Sequence, residues 1–442
     1  MPGIKLCIFG GGSSYTHHML NTFAKHVISG DLAGSRISLY DIDRENTDLM
    51  ASFGSSVARA KKLDLQVERA QTLEQGLEGA NFVLSSFRVG GLDQRYLDET
   101  IPLKYGILGQ ETTGVGGLFM ICRNAPAAEK LARTMDQVCP EAFLINYTNP
   151  TGMISDLSRR VSAVKTFGLC DGVVAVKALM GRLLGLSWQE AMTIEAGVAG
   201  VNHCTWALTL RYQGTDLYPR VPELISKIDL AAMETENYSF ADAIRLYNYY
   251  GLLPGSLSYT GYYYCLRKRI KMFSDPGYEY RSQYLKKDAQ AIRAHCRSQI
   301  GKLDADFLPY DPEHAAHGDQ AIGTIQGLAC DTRRMEIVNV KNNGIISNLP
   351  EDAVVEVPAI LCRQGALPLS MGPLPDSVVG VVQMVHLHCR LAVTAAQRGD
   401  RKLVMQAALS HPCNRDLDDM ELCVKEMYEK NKDWLPQFRG NS

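Results

Sequence analysis

Ile4-Lys5-Leu6-Cys7-Ile8-Phe9-Gly10-Gly11-Gly12-Ser13-Ser14-Tyr15 runs from apolar, strand-forming residues through three glycines to a hydroxyl pair that opens a helical pattern. A phosphate-cradling βα unit needs this order. Glycine lets the backbone approach a pyrophosphate with no Cβ in the way, and free N–H groups at a helix start face the anion. The stretch points to a nucleotide site and to an α/β fold built outward from it. The full dinucleotide fingerprint has a third glycine where this chain has Tyr15, so the turn needs support from the rest of the chain.

Working outward, Tyr15, Met19, Phe23 and Val27 recur at helical spacing, and residues 37–40 read as a second strand ending at Asp41. An acid at that point bonds the adenosine ribose hydroxyls, so Asp41 argues for NAD over NADP, with Asp43 as its competitor. The pattern predicts a helix over 43–62 and buried strands over 81–86, 142–146 and 164–169. Strands alternating with helices imply a doubly wound parallel sheet of Rossmann type. Residues 193–210 read as two strands around Gly197–His203, and beyond Asp216 longer helices with tyrosine-rich connections take over. The expected boundary lies near Ala196, with an NAD-binding Rossmann domain over 1–196 and a mixed α+β domain over 197–442.

Composition narrows the function classes. The chain has 442 residues, 46% hydrophobic and 21% charged, enough for two domains with a large core. A formal net charge of −2 with both signs well represented gives nothing to attract nucleic acid or an anionic membrane. The first residues enter a strand directly, no apolar stretch of membrane-span length is expected, and the reading is cytoplasmic. The twelve cysteines are scattered without a Cys-x-x-Cys pair, which suits small buried hydrophobes better than disulfides.

Polar residues gather where strands of such a sheet end: residues 88–91, Arg95, Asp98-Glu99, residues 109–114, residues 146–150, Cys170-Asp171 and Asn202-His203. Sheet topology brings carboxyl-end loops over the nucleotide. A Cys directly after one strand and a His after another could meet at one metal ion, although either alone is more often a core residue.

The succession GGGSSYT (10–16), RVGG (88–91), RYLDETIPLKYG (95–106), GQETTGVGG (109–117), NYTNPTG (146–152), GLCDG (168–172), GVNH (200–203), YTGYYY (259–264) and IVNVKNNGIISNLPEDAVVEVPA (337–359) resembles glycoside hydrolase family 4. That resemblance implies a lactate/malate dehydrogenase-like architecture whose second domain serves substrate, metal and oligomerisation. It implies NAD and Mn²⁺, or another divalent metal, as cofactors. The substrate it implies is a phosphorylated disaccharide or glucoside, and the assembly a homodimer or homotetramer. The family's route is hydride transfer from sugar carbon 3 to NAD, removal of the carbon-2 proton by a tyrosinate, elimination of the glycosidic oxygen, water addition and return of the hydride.

By the same resemblance Cys170 and His203 are the metal ligands, Asp171 the general acid of α-specific members, and Tyr259 the base, with Tyr262 and Tyr263 as alternatives. Gly10, Gly11, Gly12, Ser13, Ser14, Asp41 and Asn146 hold the dinucleotide. Arg95 and Arg281 hold the 6-phosphate with help from Ser13, and Asn149 reaches the sugar hydroxyls. His17 and Val173 stand where the family usually has Pro. The competing readings are an NAD-dependent 2-hydroxy-acid dehydrogenase, a hydrolase of non-phosphorylated α-glycosides, and a non-catalytic NAD-binding sensor.

Overall fold

The computed structural model describes residues 3–303, 316–413 and 416–439. Its strands are β1 (Lys5–Phe9), β2 (Ser35–Tyr40), β3 (Leu65–Arg69), β4 (Phe82–Ser85), β5 (Phe143–Asn146), β6 (Lys165–Leu169), β7 (Glu195–Val201), β8 (Cys204–Tyr212), β9 (Thr215–Asp216), β10 (Leu253–Pro254), β11 (Met335–Lys341), β12 (Val354–Cys362) and β13 (Gly365–Pro368). All belong to one sheet ordered β10-β8-β7-β12-β11-β6-β5-β4-β1-β2-β3, with β13 on β12 and β9 on β8. The segment β3-β2-β1-β4-β5-β6 is parallel throughout, the Rossmann order, with its switch point between β1 and β4. Leu6, Ile8, Ile37, Leu39, Leu84 and Ile145 are buried in its core because helices cover both faces.

Beyond β6 the sheet changes hand. β11 pairs antiparallel with β6, β12 with β11, β7 with β12 and β8 with β7. The sheet of the second half is therefore continuous with that of the first. One lateral row crosses four strands, Gly168 beside Asn339, Asn339 beside Glu356, and Glu356 beside Gly200. This register puts the ends of β6 and β7 at one edge although two other strands lie between them.

Local chemistry sets the element limits. Asp43 caps the helix Arg44–Ala60 by accepting the Asn46 N–H at 3.1 Å, so that helix begins one residue later than the pattern predicts. Gly10 has φ +95°, and a Cβ there would lie 2.1 Å from the Ser86 carbonyl oxygen. Only glycine can close this turn against the end of β4. All twelve cysteines are free.

One expectation is corrected. The helix Asp376–Arg398 is long and apolar enough to cross a membrane by length and composition, with 44% of its most apolar window buried. The buried side carries Ala392, Val393, Ala395 and Ala396, which share a core with Val115, Leu118, Val404 and Ala407 of neighbouring helices. Its apolarity serves helix packing.

A buried ion pair ties the C-terminal helix to the site loops. Arg123 Nη1 donates to Asp98 Oδ1 at 2.9 Å and to Asn431 Oδ1 at 2.6 Å, and neither charged side chain has measurable exposure. Asp98→Ala strands the Arg123 charge and is expected to lower unfolding stability by about 3–5 kcal/mol in urea denaturation. Asp98→Leu combined with Arg123→Met should recover most of that loss, since shape without charge is nearly neutral.

Candidate active site

Where β1 and β4 part, a cavity of about 500 Å³ opens, floored by the glycine turn. Gly10, Gly12, Ser13 and Ser14 line it, with Asp41 at one end and Asn149, Cys170 and Asp171 at the other. Asp41 Oδ2 accepts the Gly12 N–H at 3.0 Å, and Oδ1 accepts that of Asp43 at 3.1 Å. Burial pushes the Asp41 carboxyl above the ordinary range, against those N–H groups that favour its charge. Gly11 is packed so closely that a Cβ would meet that of Leu39 at 2.8 Å.

Cys170 lines the cavity's far end, and His203, itself outside the lining, lies against it. Cys170 Sγ lies 3.4 Å from His203 Nε2, and both residues are buried. A first-row divalent ion sits about 2.3 Å from a thiolate and about 2.1 Å from an imidazole nitrogen, which requires donors roughly 3–4 Å apart. The pair fits. Among the described residues no third His, Cys, Asp or Glu completes a metal group, so a metal held there keeps positions open for substrate oxygens. Burial lowers the His203 pKa to about 4, leaving the ring neutral at pH 7, as a ligand must be. Burial raises that of Cys170 well above the ordinary thiol value; a cation would have to draw off that proton.

The turn between β7 and β8 presents His203 in the left-handed region, φ +63°, a conformation that costs about 1–2 kcal/mol outside glycine. Buried Glu356 holds this turn, accepting from Asn202 Nδ2 at 2.6 Å and from Asn339 Nδ2 at 3.0 Å. Burial raises the Glu356 carboxyl to about 7. The Tyr259 ring stacks on His203, centroids 3.7 Å apart and planes 8° from parallel. Burial, then Glu111 and Cys170, push its phenol up, while Arg95 pulls the other way. Of the alternative tyrosines, Tyr263 donates its hydroxyl to the His203 carbonyl at 3.2 Å, and Tyr262 is buried edge-on to Tyr259 and Phe273.

Arg95 is buried between two carboxylates, Nε on Glu99 Oε1 at 2.7 Å and Nη1 on Glu111 Oε1 at 2.8 Å. Arg88 pairs with the other Glu111 oxygen. Burial alone would raise the Glu111 carboxyl; the two arginines overcome it and hold it below its ordinary value. Sequence reasoning noted Glu111 only as one of a polar loop. Glu356 falls within the 337–359 motif but nothing there marks it out, because an acid inside a strand resembles any solvent-facing strand residue.

Five of the named site residues lie outside the cavity lining: Gly11, His203, Tyr259, Asn146 and Arg281; His203 packs against Cys170 and Tyr259 against His203, whereas Asn146 and Arg281 are engaged elsewhere. Asn146 is fully buried and lines no part of it; Oδ1 accepts from Ser85 Oγ at 2.8 Å and the Thr148 N–H at 3.0 Å, while Nδ2 donates to the Thr148 and Thr151 carbonyls at 3.1 Å each. Its polar atoms are spent shaping the loop that carries Asn149. Arg281 opens the helix Arg281–Gln299 on the surface, its guanidinium over the Tyr284 ring at 5.0 Å, and is absent from the cavity lining. The same helix contributes Arg293 instead.

Residues 5–186 match the family model "Family 4 glycosyl hydrolase", and residues 198–413 match its companion, "Family 4 glycosyl hydrolase C-terminal domain". A probable 6-phospho-β-glucosidase of Bacillus subtilis is 29% identical over 99% of this chain and 98% of its own length. A Thermotoga maritima 6-phospho-β-glucosidase, solved with manganese, NAD⁺ and glucose-6-phosphate, superposes with a TM-score of 0.81 at 26% identity, covering 98% of this chain and 99% of that one. A 6-phospho-α-glucosidase from gut microorganisms, solved with NAD and Mn²⁺, gives a TM-score of 0.87 at 24% identity over 99% and 100% of the two chains.

Proposed function

The chain belongs to family 4 of the glycosyl hydrolases, and from that premise we propose that it is an NAD- and divalent-metal-dependent 6-phosphoglucosidase acting on α-linked substrates. The observation that carries the reading is the Cys170–His203 pair, 3.4 Å apart, with Cys170 in the wall of a cavity that begins on a dinucleotide turn. A 2-hydroxy-acid dehydrogenase has no use for it.

When bound, NAD would supply a hydride acceptor at sugar carbon 3, and Mn²⁺ or another divalent ion held by Cys170 and His203 would supply positive charge at the oxygens on carbons 2 and 3. Tyr259, on the face of His203, takes the carbon-2 proton. Burial pushes its phenol up, so it acts as a base only with a cation beside it. Asp171, next in sequence to Cys170 and in the cavity wall, gives its proton to the leaving oxygen; a carboxylic acid there supports the α-linkage. Arg95 presents charge to the 6-phosphate from a position fixed by Glu99 and Glu111, with Ser13 assisting, and Asn149 faces the sugar hydroxyls. The substrate is a phosphorylated disaccharide or glucoside, and the location we propose is the cytoplasm. We further propose a homodimer or homotetramer, for which the exposed Met384 and Leu387 on the helix Asp376–Arg398 offer an apolar surface.

The test is a panel of α- and β-linked nitrophenyl glucosides, each with and without 6-phosphate, assayed with manganese and NAD. Turnover of the α-linked 6-phosphate compound should dominate, with no net accumulation of NADH. Preference for unphosphorylated glucosides would remove the phosphate assignment. Steady growth of NADH absorbance would point to the dehydrogenase.

A further inference from the structure

Resting on the reading of the cavity as an NAD site, we propose that Arg293 is the cation that neutralises the dinucleotide's pyrophosphate, delivered across the cavity by a helix of the C-terminal half. The glycine turn is poorer in donors than its sequence implies. Gly10 and Gly11 donate their N–H groups to the Tyr40 carbonyl at 2.9 and 3.0 Å, and Ser13 donates to the Gly10 carbonyl at 3.0 Å. Gly12 donates to Asp41, and Tyr15 to Ser13 Oγ at 3.3 Å. Among the described residues, that leaves the Ser14 N–H and two serine hydroxyls for an anion that carries two charges. Asp41 and Asp43 line the same end of the cavity and oppose it.

Three guanidinium groups line the cavity among the described residues, those of Arg88, Arg95 and Arg293. The first two share Glu111. Arg293 pairs with no described residue, and its Nε is buried without a hydrogen-bond partner. The residue is partly buried in the cavity wall, and a fork of N–H donors left without a described partner there suits an anionic ligand.

Its placement is fixed at both ends of the helix Arg281–Gln299. Ser282 donates its N–H to Glu99 Oε2 at 3.1 Å, and Arg297 Nη2 pairs with Glu45 Oε1 at 2.8 Å. The His295 ring packs edge-on against His17, 5.7 Å between centroids, which sets this turn of the helix over the start of the helix that follows the glycines. Leu285, Ala289 and Arg293 face the cavity at four-residue spacing. Two apolar residues and then a fork of N–H donors make a wall against which a dinucleotide can lie. Arg281, by contrast, stays outside.

The experiment is direct binding to dialysed full-length protein, by titration calorimetry, of NAD, ADP-ribose and adenosine. Arg293→Ala should weaken NAD and ADP-ribose about ten- to hundredfold, the range for a hydrogen-bonded charge pair, and leave adenosine within about twofold. Arg293→Lys, which keeps the charge and loses the fork, should recover part of the loss. NAD affinity unchanged in Arg293→Ala would overturn the assignment, and so would an equal loss for adenosine, which would place the side chain on the base. The unliganded alanine variant should melt within about 2 °C of the parent, because no partner among the described residues is lost; a large fall would mark a structural role and overturn the proposal. A parent protein that binds neither NAD nor ADP-ribose would refute the cofactor reading itself, a different outcome from the failure of one side chain.

Discussion

Cys170→Ser and His203→Ala should each reduce turnover of a 6-phosphoglucoside by at least about a thousandfold, with NAD affinity within about twofold of the parent. The loss is expected to be large because, on the proposed reading, the two side chains make up the protein's share of the metal site; with one donor left, a divalent ion would have little reason to remain. A metal held there would supply positive charge as the transition state forms, and such electrostatic terms are among the largest in catalysis. NAD binding is spared because the glycine turn and Asp41 lie at the opposite end of the cavity. The checks are steady-state kinetics over a manganese titration and calorimetry with NAD. Turnover within tenfold of the parent at saturating manganese would remove both residues from the metal site.

Tyr259→Phe should cost about 10²–10⁴ in kcat, the usual contribution of a positioned base, with little change in KM. The phenyl ring can still stack on His203 at the 3.7 Å separation seen for the phenol, so the pocket keeps its shape and loses only the proton acceptor. In heavy water the parent should place deuterium at carbon 2 of the product, and residual product of the variant should form more slowly with the same label. If Tyr262→Phe rather than Tyr259→Phe lowered kcat by this factor, the base would have to be reassigned to the residue edge-on to it. The positions of the two rings argue against that outcome, since Tyr262 is turned toward Phe273.

Much of the fold is legible along the chain because its signals are local. A run of β-branched and aliphatic residues bounded by polar turns reads as a buried strand wherever it falls, and β1, β2, β4, β5 and β6 all announce themselves this way. β3 does not, because Leu65–Arg69 interleaves two apolar residues with polar ones at the sheet edge. The glycine turn is likewise legible, since the φ of Gly10 and its approach to Ser86 demand the residue that is there.

The site is legible only as a list of candidates. Cys170 and His203 stand out as reactive residues after strands; what brings them together is the row Gly168, Asn339, Glu356 and Gly200, assembled from four strands far apart in sequence. Asn146 shows the opposite error. Its place in an asparagine-rich loop suggests a ligand contact, yet the loop's own backbone groups claim its amide. Arg293 lies in an ordinary charged helix, where one arginine looks like the next until the packing against Glu99 and Glu45 decides which of them turns inward.

The sequence by itself determined a nucleotide-binding βα unit, a parallel sheet wound around it and a short set of reactive residues at strand ends, because these depend on backbone sterics and on periodicity over a few neighbours. The tertiary structure alone decided that a sulfur and an imidazole 33 residues apart come within 3.4 Å, that the glycine turn spends most of its N–H groups on the end of β2 and on itself, and that a guanidinium from the other half of the chain lines the same cavity. Those outcomes depend on strand register and helix docking, where a shift of one residue would turn each side chain away.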